Sequence, residues 1–354
     1  MSFQILPFTA ESIPAVQDFN RRLAAAAIAP GQHFPETPEP GWLPAMQLFV
    51  AKDEDSVHGG YILRHQIFSV AGETVAAAHY RLPLSEGLID RSYATLGLSM
   101  VRDALTRQPR LYALGMGGMD KPLPQMLKRL GWPVHPVPFY FKIVHPARFL
   151  RHIRPLRNTP LHRLAFDVTA FTGAGWLGMK LTGLARRIPA APFDLEPSFS
   201  PWADNVWDRA RSDYALLAVR DAATLDQLYP PSDPRFLRLR AAGGWAVLLD
   251  TQMHDHKQFG NMRVGTIVDC LAPPASAPAI IRAAASLLEQ RGVDLVVSNQ
   301  LHAAWARALR HTGFREAPTN YLFALSPAFA QSAAGASPDQ FHINRGDGDG
   351  PIHL

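Results

Sequence analysis

Three groups of residues in this chain have the types and spacing that chemistry needs. Tyr80 and Glu86 stand at the end of an apolar alternating run, His79-Tyr-Arg-Leu-Pro-Leu-Ser-Glu86, where a phenol or a carboxylate can move a proton. Glu86 either works as a base through water or pairs with Arg91 and caps the next helix. His79 alternates to the face opposite Tyr80. Next comes Arg91-Ser-Tyr-Ala-Thr-Leu-Gly97, opening a run in which Leu96, Met100, Val101 and Leu105 recur at helical spacing. A helix N-terminus beside the end of a strand offers unpaired N–H groups and a positive dipole to an anion. The third group is Asp269, in Ile267-Val-Asp-Cys270, with His302 after Asn299-Gln300. These two form either an acceptor-binding or proton-transfer pair, or a buried carboxylate satisfied by backbone amides. Cys270 alternates away from Asp269, which excludes a Cys–His nucleophile pair there.

The elements that position the first two groups lie between Ala77 and Trp132. A strand runs to Leu84, Ser85 to Asp90 turn, and the helix follows. Arg110 to Gly115 is a short apolar strand, a Gly-rich turn comes next, and Pro124 to Leu130 is a helix stopped by Gly131. Upstream, Phe3 to Leu23 gives a strand and then a helix begun near Thr9 or Ser12. Ala24 to Leu43 is a Pro-rich loop, and Gln47 to Lys52 and Val57 to Val70 are strands, the second bent at Gly59-Gly60. Val134 to Val144 closes this unit as strands.

This order, from Phe3 to Phe149, resembles the N-acetyltransferase (GNAT) superfamily. The resemblance implies an acyl-CoA co-substrate whose pyrophosphate is held by the amides of a Q/R-x-x-G-x-G/A turn. The matching positions are Arg91, Ala94, Thr95, Leu96 and Gly97. Arg91 fits the pattern, Ala94 and Leu96 stand where glycines are expected, and Gly97 comes one residue late. Side chains at those positions narrow the space for a phosphate. The resemblance also implies a splay between Ala77–Leu84 and Leu111–Gly115, with main-chain amides near Leu82 and Leu84 polarising the thioester carbonyl. The Tyr that many members place after the fifth strand is missing, since Gly117-Gly-Met-Asp-Lys-Pro122 stands there; Asp120 and Lys121 are weak substitutes and water can protonate the thiolate.

A second unit from Ala190 repeats the pattern. Helices are expected at Pro201–Leu216, Arg220–Tyr229, Ser276–Gln290 and Ala303–Arg310. Strands are expected at Phe236–Arg240, Gly244–Met253, Met262–Ala272, Val293–Asn299 and Asn320–Leu325. The ends Leu127-Lys-Arg-Leu-Gly-Trp132 and Ala308-Leu-Arg-His-Thr-Gly-Phe314 match, so a tandem arrangement is expected. The second unit has no pyrophosphate motif, which resembles two-lobed GNAT relatives with one site, such as peptidoglycan aminoacyltransferases. The expected organisation is therefore α/β with two GNAT-like lobes, each a mixed, mostly antiparallel sheet flanked by helices. Their bounds are 1–150 and 190–330, with a basic, apolar linker at 151–189 and a flexible tail at 331–354. The linker helix, with Phe166, Leu177, Leu181 and Ile188 on one face, packs between domains or lies on a membrane surface. In the tail, Asp347-Gly-Asp-Gly lacks EF-hand spacing, so no metal site is expected.

With 354 residues, 47% hydrophobic and 18% charged, the chain fills real cores and is neither disordered nor fibrous. One cysteine excludes an internal disulfide, no secretory leader is visible, and no apolar run spans a bilayer, so a cytoplasmic location is expected. A net charge of +5 favours anionic partners such as CoA, and no nucleic-acid motif accompanies it. The leading expectation is an N-acyltransferase that moves an acetyl or other acyl group from acyl-CoA to a small-molecule amine, for example an amino sugar. The alternatives are a GNAT-fold binding or regulatory protein without turnover and an aminoacyl-tRNA-dependent transferase. Acceptor, acyl length and oligomeric state are not legible in the residues.

Overall fold

The computed structural model describes residues 3–26, 32–37, 45–153 and 192–348. The chain divides into two compact units, each assembled from separated stretches. The first comprises Met1–Phe68, Glu73–His135 and Leu322–Ala334. The second comprises Ser69–Gly72, Pro136–Tyr321 and Gly335–Leu354.

In the first unit β1 (Gln4–Pro7) leads to α1 (Ile13–Ala25), then β2 (Met46–Asp53), β3 (Ser56–Val70) and β4 (Glu73–Ser85) form an antiparallel meander. The helix α2 (Leu96–Arg107), β5 (Leu111–Gly115), α3 (Pro122–Arg129) and β6 (Val134–Pro136) follow. Leu96, Met100, Val101 and Ala104 bury the face of α2 that the helical spacing predicts, against Tyr61, Tyr80 and Trp132. On the other face of the sheet, Val16 and Phe19 of α1 pack with Val57, Ile62, Leu82 and Leu84. Ala78 and Tyr80 thus face α2, whereas Leu82 and Leu84 face α1. Strict alternation would keep all four on one side, so β4 slips by one residue at Arg81–Leu82, where Leu82 has φ +43°.

The second unit contains β7 (Phe139–Ile143), α4 (Pro146–His152), β8 (Asp194–Glu196), α5 (Pro201–Ala210), β9 (Leu216–Ala218) and α6 (Ala222–Leu228). It continues through β10 (Leu237–Ala241), β11 (Gly244–Gln252), β12 (Arg263–Leu271), α7 (Ala277–Gln290), β13 (Leu295–Asn299), α8 (Ala303–His311) and β14 (Arg315–Ala317). Then β15 (Leu322–Leu325) and α9 (Pro327–Ser332) return to the first unit, and β16 (Phe341–His342) ends in the second. The strand orders are β1-β2-β3-β4-β5-β15-β6 and, read in the same sense, β8-β10-β11-β12-β13-β7-β14. Both orders run through mostly antiparallel neighbours with a parallel pair at β4–β5 or β12–β13, and off the first order β9 pairs β16 in parallel.

Two expectations are corrected here. Phe139–Ile143, expected to close the first unit, pairs with β13 and β14, while Leu322–Leu325, expected in the second, pairs with β5. Both are short apolar runs, and periodicity marks them as strands without naming their neighbours. The expected flexible tail is also folded over its described residues, 331–348: the end of α9 and β16 are formed, and His342, Ile343, Asn344 and Asp347 are fully buried. Its polar residues looked solvated in sequence because their partners lie far away along the chain. The linker helix from Phe166 to Ile188, with Arg154, Arg157 and Arg163, lies outside the described residues. No helix among the described residues is long and apolar enough to cross a membrane.

Candidate active site

The parallel pair β4–β5 is short. It registers Ala78 with Leu111 and His79 with Tyr112, and then the strands part. β4 runs on to Ser85 through the Leu82 bulge, and β5 ends at Gly115. Gly115, Met116, Gly117 and Gly118 all have positive φ, a left-handed turn that only a glycine-rich sequence enters cheaply. Leu82 and Leu84 thus lie on the parted limb, where main-chain groups were expected to meet a thioester. Pro83 between them has no N–H to offer.

At the start of α2, Arg91, Ala94 and Thr95 are exposed, while Leu96 is turned fully into the core beside Met100 and Tyr61. The leucine at the glycine position therefore does not narrow the approach to the helix N-terminus. A Cβ on Gly97 would meet only the Met126 sulfur, at 3.8 Å, so that position is open too. Asp90 accepts from the Ser92 amide at 2.8 Å, and these backbone and side-chain bonds to Ser92 hold its carboxyl below the usual range.

Glu86 is 4% exposed at the end of the parted limb. One carboxylate oxygen accepts a hydrogen bond from Arg22 Nε and the other pairs with His58 Nδ1. Arg22 also reaches the Val57 carbonyl at 2.6 Å; burial opposes its charge, but Glu86 and Asp18 outweigh burial and raise its pKa. The His58 ring stacks on Tyr93, with centroids 4.4 Å apart and planes at 16°. These groups line a cavity of about 690 Å³ with Ser56 and Asp90. Glu86 thus pairs with Arg22 rather than Arg91. Gly87 is needed beside it, since a Cβ there would lie 2.5 Å from the Tyr93 carbonyl oxygen. Tyr80 is absent from this cavity: it is buried against Tyr61, and burial, with Tyr61 and Asp103 nearby, pushes its phenol well above its ordinary value. A phenol so held does not act as a base. His58 and Arg22 were missed by sequence reading; the available signal was a histidine just before Gly59-Gly60. Those glycines let β3 lie close to its neighbours, where a Cβ would meet Leu84 O at 3.0 Å or the Phe34 ring at 2.7 Å.

No family model and no curated protein matches the sequence. Solved structures do match the fold. Saccharomyces cerevisiae N-myristoyltransferase with bound myristoyl-CoA superposes with a TM-score of 0.55 at 10% identity, over 92% of this chain and 82% of that one. A probable N-acyltransferase from Enterococcus faecalis gives 0.50 at 10% identity, over 92% and 72%. The chain has the GNAT fold. In that fold the parted parallel strands and the following helix are the features that the sequence resemblance pointed to, and the first unit has both.

The second unit brings its expected residues to different partners. Asp269 is fully buried and accepts from Arg220 Nε at 2.7 Å, Tyr229 OH at 2.7 Å, Asn344 Nδ2 at 2.9 Å and its neighbouring Cys270 amide at 2.9 Å. Burial raises its pKa, but Arg220, His342, Tyr229 and Asn344 together outweigh burial and hold it below the usual carboxylate range. His302 instead accepts from the Ala304 amide at 3.2 Å as the N-cap of α8 and meets the Tyr214 ring edge-on. Burial and His342 lower it to about 4. Their hydrogen bonds therefore do not join Asp269 to His302 as a pair. Arg220, Tyr229 and Asn344 were not singled out in the sequence, because nothing local marks a residue whose partner is distant in the chain.

Proposed function

We propose that the protein is a tandem-lobed GNAT-type N-acyltransferase that uses acyl-CoA, with its carrier site in the first lobe. The observation that supports this most directly is the parting of β4 from β5 after His79 and Tyr112, with a bulge at Leu82 and an unobstructed α2 N-terminus alongside. The pantetheine arm adds to the parted limb, with main-chain groups at Leu82 and Leu84 near the thioester carbonyl. The pyrophosphate lies on the amides from Ala94 to Gly97, with Arg91 beside it. The bound myristoyl-CoA of the yeast relative supports acyl-CoA as co-substrate.

The acceptor is a small-molecule amine that enters the cavity of Glu86 and His58. A carboxylate on Nδ1 selects the tautomer protonated there and leaves the Nε2 lone pair as a base. His58 takes the proton of the ammonium, the amine nitrogen bonds to the thioester carbon, the C–S bond breaks, and the second proton shed by the nitrogen is relayed through water to the departing CoA thiolate. Calorimetry with acetyl-CoA and a long-chain acyl-CoA tests the carrier step. Micromolar binding, weakened about tenfold in Arg91→Ala, is expected for loss of one charged phosphate contact. Millimolar or absent binding overturns this reading in favour of a GNAT-fold binding protein, and a gel shift with aminoacyl-tRNA tests the remaining alternative.

A further inference from the structure

The second unit has the same fork as the first. β12 and β13 register Val264 to Ile267 with Leu295 to Ser298 and then part, and β12 skips Val268 against β11, between Ile267 and Asp269. This fork is filled. The Leu301 amide donates to the Ile343 carbonyl at 3.0 Å, and Gln300 forms an antiparallel bridge with Asn344. Asn344 reaches Asp269, and Arg220 lies between Asp269 and Asp347, at 2.7 and 2.6 Å, with all three side chains fully buried. The segment closes on itself: Asp347 accepts from the Asn344 amide and Asn344 from the Gly346 amide, each at 2.9 Å. Gly346 passes so close that a Cβ would lie 2.5 Å from both Asp269 Oδ2 and the Tyr229 hydroxyl. Upstream, Phe341 and His342 are tied in parallel to Leu216 and Leu217.

We propose that residues 341–347 are the resident occupant of the second fork. This lobe binds an extended stretch of its own chain where, on the acyltransferase reading, the first lobe takes a carrier. The protein consequently takes one acyl-CoA per chain, a corollary that rests on the acyltransferase reading; the occupancy itself does not. The chemistry is that of peptide addition to a parted sheet: main-chain bonds at Leu301 and Gln300 supply the edge, and the Arg220–Asp347 pair reads the side chain. A carrier entering this fork would have to expel the segment and strand Arg220 as a buried, half-paired cation, so the occupant is not readily exchanged. Burial opposes the Arg220 charge, yet Asp269 and Asp347 hold the guanidinium above its ordinary value, so it keeps its charge while the segment is seated.

Hydrogen exchange on the full chain, without ligand, decides occupancy. The amides of Leu301, Asn344 and Gly346 are expected to exchange at least about 100-fold more slowly than in an unstructured peptide. Exchange within about tenfold of the unstructured rate overturns the proposal. Asp347→Asn removes charge but not shape and is expected to speed exchange at Leu301, Asn344 and Gly346 together, with the strand amides of β2 unchanged. An effect confined to position 347 overturns the proposal. Native mass spectrometry with acetyl-CoA then counts carriers: one per chain, with protection gained at 82–97, supports it, and a second carrier or new protection at 264–301 overturns it. If no carrier binds, the acyltransferase reading fails and the exchange rates alone settle the occupancy.

Discussion

A protonated amine must lose its proton before it attacks a thioester, and the groups we propose for that step are His58 and Glu86. His58→Ala is expected to lower kcat/KM about 10²- to 10⁴-fold, the usual contribution of a positioned base, while the acyl-CoA Kd holds. Steady-state kinetics beside calorimetry checks it, and an equal loss of carrier affinity would point to a collapsed cavity instead. Tyr80 makes the opposite case. Its hydroxyl is buried and has no hydrogen-bond partner among the described residues, so Tyr80→Phe is expected to keep activity and to raise stability, by up to about 1–3 kcal/mol, the cost of burying an unsatisfied group. Loss of activity in that variant would restore Tyr80 to the site. Glu86 was legible in the sequence because it ends a strand. His58 was not, because its role exists only once β3 lies beside β4 and carries it to the carboxylate.

Elements set the site through two close approaches. Gly87 lets the turn after β4 touch the turn before α2, which brings Tyr93 over His58. Gly87→Ala is expected to destabilise the fold by about 1–3 kcal/mol, since the obstructing atom is backbone and cannot turn aside. Thermal melts check this; an unchanged melting temperature would mean that the two turns are free to separate. The bulge at Leu82 is the second device, turning the end of β4 so that Leu84 faces α1 and Glu86 reaches Arg22. Helix and strand identities were readable from periodicity almost throughout, because each buries one face. The bulge was not, since Arg81-Leu-Pro-Leu84 reads as plain alternation and only the packing of Leu82 and Leu84 beside α1 reveals the slip.

Each unit is completed by a strand from the far part of the chain, so neither is a contiguous piece of sequence. A fragment of residues 1–150 lacks Leu322–Leu325, leaves the β5 edge unpaired, and is expected to show no cooperative unfolding transition in a calorimeter. The second unit also predicts acid sensitivity. Burial lowers His342 to about 4, where Arg220 also opposes and Asp269 favours its charge; burial lowers His302 to about 4 as well. Both folded values lie below the ordinary histidine value of about 6.5, so their stabilisation is complete above that pH and is lost as pH falls toward 4. For His342 the loss reaches about 3 kcal/mol. Asp347, raised by burial, works against part of it. Urea midpoints at about pH 7.5 and pH 5 should differ, and His342→Gln should shrink the gap; coincident midpoints would contradict a buried neutral His342. The sequence by itself determined the α/β class, the order of helices and strands, the turn at Arg91 and the carboxylate at Glu86, because these follow from local periodicity and turn chemistry. Tertiary structure alone decided which strand completes which sheet, what faces Glu86, and that a polar C-terminal stretch is buried against Asp269. Those outcomes depend on contacts between residues distant in the chain, and such contacts leave no local pattern.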